Sequence, residues 1–66
     1  MVGKQGRVTG RIGPGLVGEV VLSVRGGSEA FYAYASEPEA TIEVNVPVLV
    51  VEYAAPRTVY VTSLIR

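Results

Sequence analysis

The chain has 66 residues, with six basic and six acidic side chains, no cysteine and no histidine. That length makes one small domain, which buries only ~60% of the surface its unfolded chain exposes. Disulfide and thiolate-metal staples are excluded, the commonest metal ligand and general base are missing, and the zero formal net charge lacks the positive excess usual in nucleic-acid binders.

Valine dominates the apolar residues, which favours strands over helices. The first strand is predicted within residues 2–12. Val8, Gly10 and Ile12 fall on one face, and Arg7, Thr9 and Arg11 on the other. Gly10 in mid-strand predicts a bulge or sharp bend. Gly13-Pro14-Gly15 is a loop. Residues 17–25 follow, with Val20, Leu22 and Val24 alternating against a mostly polar outer face of Glu19, Val21, Ser23 and Arg25. Gly26-Gly27-Ser28 predicts a hairpin turn. In the third strand, 29–36, Phe31, Ala33 and Ala35 are placed inward, and Tyr32 and Tyr34 outward.

Glu37-Pro38-Glu39-Ala40 ends that strand. Residues 40–45 are too few and too β-branched for a stable helix, so a single turn, or a short strand over 42–44, is expected. Asn45 stands where a left-handed turn is useful. The strongest hairpin signal comes last, with runs 46–53 and 58–66 flanking a break at Pro56. Val59 and Val61 share one face, and Thr58, Tyr60 and Thr62 the other. The run 46–53 is apolar at nearly every position, so its strand is predicted to be covered on both faces. Its apolar core, 46–51, is far short of the ~20 residues that span a bilayer. Residues 1–10 are Gly-rich and polar, unlike a signal peptide. The chain as given therefore reads as soluble.

Five strand segments with turn signals at about 8–12-residue spacing predict an all-β domain over 1–66. The chain is too short for a seven-strand sandwich. A closed five-stranded OB-fold barrel, which hides its edges, is the first choice, with an SH3-like barrel as the alternative.

Arg7, Arg11, Tyr32 and Tyr34 form the candidate interaction surface, on the outer face of strands one to three. Such a set suits a protein contact, where Tyr is enriched, or stacking and phosphate contacts to a single-stranded nucleic acid. The plainer reading is a set of solvated charges, blunted by Glu19, Glu29, Glu37, Glu39, Glu43 and Glu52, beside cross-strand tyrosine packing that also involves Tyr53 and Tyr60. A Ser–Lys dyad would need Lys4 in a shielded pocket, for which so small a barrel has no room. Glu37 and Glu39 pair only across Pro38 in a solvated loop, and Gly13-Pro14-Gly15 lacks the ending of a phosphate loop. No catalytic, cofactor-binding or metal-ligating residue is assigned, and the domain is expected not to be an enzyme.

Several stretches carry a resemblance. They are Val2-Gly3-Lys4-x-Gly6-x-Val8, Pro14-Gly15, Gly27-Ser28-Glu29-Ala30-Phe31-x-Ala33-Tyr34-Ala35-x-Glu37-Pro38, and Val48-x-Val50-Val51-Glu52-Tyr53-x-x-Pro56-Arg57-Thr58-Val59-x-Val61. Together they resemble the soluble C-terminal domain of the NfeD family over nearly the whole chain. Asn45 stands where the family commonly has Gly, and asparagine serves the same positive-φ turn. The resemblance implies an OB-fold and a longer parent protein with membrane-spanning helices ahead of this domain, which would lie on the cytoplasmic side. Long members of the family carry a serine protease domain, to which nothing in this chain corresponds. It further implies a non-enzymatic protein-interaction domain whose partner is a stomatin/flotillin-like membrane scaffold. Single-stranded nucleic-acid binding and a purely structural or oligomerising role are the alternatives.

Overall fold

The computed structural model describes residues 2–65. It contains β1 (Gln5–Gly10), β2 (Gly18–Val24), β3 (Gly27–Ala35), β4 (Pro47–Ala54) and β5 (Thr58–Ser63). They close into a barrel in the order β1–β2–β3–β5–β4. Neighbours run antiparallel except β3 and β5, which are parallel. This is a small OB-fold-like barrel, the architecture predicted first, and no helix occurs among the described residues.

Alternation along each strand builds the core. Val8, Val20, Leu22, Phe31, Ala33, Val48, Val50, Val59 and Val61 point inward and are buried. Ile12 and Ile42 join them from outside the strands. No polar or charged residue is buried among those described, so hydrophobic burial and the closed ladder are what hold the barrel together.

The sequence expectations meet the structure unevenly. Gly10 does follow a bulge, because Val8 faces Val20 while Gly10 faces Glu19, leaving Thr9 as the extra residue. Asn45 does adopt a left-handed conformation, at φ 76°, and its N–H donates to the Val8 carbonyl at 2.8 Å. The β2–β3 turn closes one residue earlier than predicted. Val24 pairs with Gly27, and Gly26 in the turn takes positive φ. Residues 40–45 form no helix and no strand: the expected single turn falls at Val44-Asn45, closed by the Val46 N–H donating to the Glu43 carbonyl at 3.3 Å, and Ile42 makes an isolated bridge in which Ile12 and Ile42 exchange N–H···O bonds of 3.0 and 2.8 Å.

β4 corrects the reading of a strand covered on both faces. Val48 and Val50 are buried, but Pro47 and Leu49 are half-buried and Val51 is exposed. A single-layered barrel has no second layer to cover its outside. Val51 is also the extra residue of a bulge, between the Val50–Val61 and Glu52–Tyr60 pairs. The expectation that closure hides every edge holds for β3 only from Tyr32 onward, where β5 joins it.

Candidate interaction site

The β1–β2 connection passes tightly across the barrel. A Cβ at Gly18 would lie 2.6 Å from the Gly10 carbonyl oxygen and collide with the Ile12 side chain. Only glycine permits that approach. The chain arriving at Gly18 therefore leaves Leu16 and Val17 outside, 46% and 50% exposed. They line a concavity of about 460 Å³ with Gly10, Arg11, Gly18, Glu19 and Tyr32.

Tyr32 stands at the far wall of that concavity and is 61% exposed. A second concavity of about 290 Å³ lies on its other side, lined by Glu19, Ala30, Phe31, Tyr32 and Arg57. Tyr32 and Glu19 are thus the ridge between two hollows, bordered by the β1–β2 loop and the β4–β5 turn. The Tyr32 N–H donates to the Arg57 carbonyl at 2.9 Å, which fixes the ridge against that turn. An OB-fold commonly uses its β2–β3 face and these same two loops for ligands.

Both arginines here are paired with carboxylates, and Glu19 holds a neutral hydroxyl. Arg11 Nε donates to Glu43 Oε2 at 3.1 Å. Thr9 Oγ1 donates to Glu19 Oε1 at 2.8 Å. Arg57 Nη1 donates to Glu29 Oε1 at 3.3 Å, and its guanidinium carbon sits 5.4 Å from the centroid of the Phe31 ring. With cations and carboxylates interleaved, the face presents no continuous positive track for a phosphate backbone. Among the described residues no three potential ligands gather to hold a metal ion.

The four residues read from sequence as one surface are all exposed. The structure brings Arg11 and Tyr32 into one concavity. Arg7 lies apart, opposite Val21 and Pro47 in the sheet, with Nη1 donating to the Asn45 carbonyl at 3.4 Å. Tyr34 stacks on Tyr60 across the parallel pair, with centroids 5.6 Å apart and rings 26° from coplanar. Tyr53 donates its hydroxyl to the Pro56 carbonyl at 2.8 Å. Tyr32 is therefore the most exposed tyrosine and the one that lines both hollows. Leu16, Val17, Glu19 and Arg57 were not read as site residues. A signal existed for the first two, an apolar pair placed directly after the Gly13-Pro14-Gly15 loop.

The NfeD C-terminal domain model matches residues 5–62, spanning every strand from β1 into β5. The chain belongs to the NfeD C-terminal domain family. One solved structure agrees with that assignment: "Solution structure of the soluble domain of the NfeD protein YuaF from Bacillus subtilis". It matches this NfeD domain with a TM-score of 0.79 at 27% identity, covering 94% of this chain and 71% of that one. No curated protein matches the chain. The family resemblance carried by the sequence is thereby borne out, and so is the fold it implies. No helix among the described residues is long and apolar enough to cross a membrane.

Proposed function

We propose that this NfeD domain is a non-enzymatic protein-interaction module of a membrane-anchored parent, displayed on the cytoplasmic side. In this reading it contacts a stomatin/flotillin-like scaffold protein. The observation that carries the reading is the open apolar hollow. Leu16, Val17 and Tyr32 are large, exposed side chains around one concavity, with Arg11 on its rim. Exposed aromatic and aliphatic groups bordered by charge suit a protein contact, where aromatic and Arg side chains supply most of the binding energy. Membership of the NfeD family supports a parent protein of that kind.

The test is retention of proteins from native membranes on the tethered domain, with and without nuclease. A scaffold protein kept after nuclease, and lost with Tyr32→Ala, is the expected result. Retention that disappears with nuclease would replace this reading by single-strand nucleic-acid binding. A domain that captures only itself, with a mass that rises with concentration, would replace it by an oligomerising role.

A further inference from the structure

The barrel is closed, yet β3 is longer than the strand that covers its second edge. β5 meets β3 only from Tyr32–Thr58 to Ala35–Val61. Ahead of Tyr32, β3 is paired with β2 on one side, and no described strand pairs on the other. One bond shows which way its backbone groups turn. The Tyr32 N–H reaches the Arg57 carbonyl, on the side away from β2. Within a strand the N–H and C=O of one residue share a side, and alternate residues share a direction. Ala30 and Ser28 therefore also turn their N–H and C=O away from β2. Both residues are exposed, and no described backbone group outside the strand ladders bonds to them.

The smaller concavity lies beside this edge. Ala30 is flanked there by Tyr32, Glu19 and Arg57, and its single methyl leaves the hollow open. Of the two charged walls, Arg57 is paired with Glu29, and Glu19 accepts a hydrogen bond from the Thr9 hydroxyl.

We propose that the β3 edge at Ser28–Ala30 takes an extended segment of a partner protein by strand addition, seating one bulky apolar side chain over Ala30 between Tyr32 and Arg57. This inference rests on the interaction-module reading and names how the partner is held. Donors and acceptors at strand spacing match an extended polypeptide, whose main chain supplies affinity while alternate side chains supply selectivity. The Ala30 methyl and the Phe31 and Tyr32 rings in its lining favour an apolar side chain in the hollow. A second copy does not fill it. Self-pairing of this edge sets Ser28 or Ala30 opposite Ala30, and the next outward residue, Tyr32, is already held against β5.

The test uses short random peptides displayed on phage and selected on the tethered full chain, followed by amide hydrogen exchange with a selected synthetic peptide. Expected are peptides with alternating apolar residues that slow exchange at the Ser28 and Ala30 amides. Ala30→Pro removes one outward N–H and leaves the β2 ladder intact, since proline is tolerated where an edge N–H faces solvent. It should weaken binding roughly tenfold, about what one backbone hydrogen bond supplies. If that variant fails to fold, Ala30→Trp fills the hollow with the edge groups intact and should weaken binding as well. Absence of any enriched peptide, or binding that leaves Ser28 and Ala30 exchange unchanged, overturns the inference. A membrane partner retained equally by folded Ala30→Pro also overturns it, while leaving the interaction-module reading in place.

Discussion

The core of the barrel is closed by different means at the two ends of β4. Ahead of β4, Ile42 packs with Ile12, and the two exchange a pair of backbone hydrogen bonds. Both side chains are almost fully buried. After β4, the cover is Arg57, whose guanidinium lies over Phe31 and reaches Glu29 while staying half exposed. Main-chain bonds and close packing make the first closure stiff. The second is a long side chain over a ring, costing little to move because its charge remains in water. Stability and recognition are thus divided. The rigid plug supports the fold, and the adaptable cover sits beside the hollow and the open edge.

The sharpest way to break this contrast is Ile42→Ala. Emptying a buried isoleucine site costs about 2–5 kcal/mol. A core of this size rarely supplies more than ~3–5 kcal/mol in total. Urea denaturation followed by circular dichroism should show a largely unfolded population without denaturant. A loss below ~1 kcal/mol would mean that residues 36–46 do not plug the core, since that is less than a buried isoleucine is worth. Arg57→Ala should cost far less, about 1 kcal/mol, because a half-exposed cation over the Phe31 ring contributes ~0.5–1 kcal/mol and the half-exposed pair to Glu29 little more. Equal costs at the two positions would erase the distinction between them.

How much of this was legible in the sequence depends on distance along the chain. The inward valines, the Gly10 bulge, the Asn45 turn and the Pro56 break are written in period-two alternation and local turn chemistry, so they appear correctly. The Ile12–Ile42 plug joins residues 30 positions apart, through a segment that reads only as a single turn or a short strand. Nothing local distinguishes Ile42 from an ordinary loop isoleucine. The site was half legible for the same reason. Tyr32 and Arg11 are exposed residues at strand and loop positions that the pattern can assign, but their meeting across the Gly18 crossing is a close backbone approach. Apolar continuity misled at β4, because a run of valines looks the same whether its second face meets another layer or water. The uncovered stretch of β3 depends on where β5 begins relative to β3, a register that no single strand encodes.

The smallest effects on stability separate the tyrosines and return the comparison to function. Tyr34 is tied to Tyr60 by stacking on neighbouring parallel strands. Removing such a pair costs about 0.5–1.5 kcal/mol beyond the buried area. Tyr34→Ala should therefore lower stability measurably, and any loss of partner binding should scale with the unfolded fraction. Tyr32→Ala removes a mostly exposed ring, so its effect on stability should stay within about 0.5 kcal/mol. If Tyr32 is part of the contact, partner retention should nevertheless fall, in a protein as well folded as the parent chain. Measured together, urea midpoints and retention place each tyrosine on one side of the divide. Tyr34 should move the midpoint first, and Tyr32 should move retention alone. The reverse pattern would shift the contact from the hollows beside Tyr32 to the outer β3–β5 face, where the stacked pair is the more prominent feature.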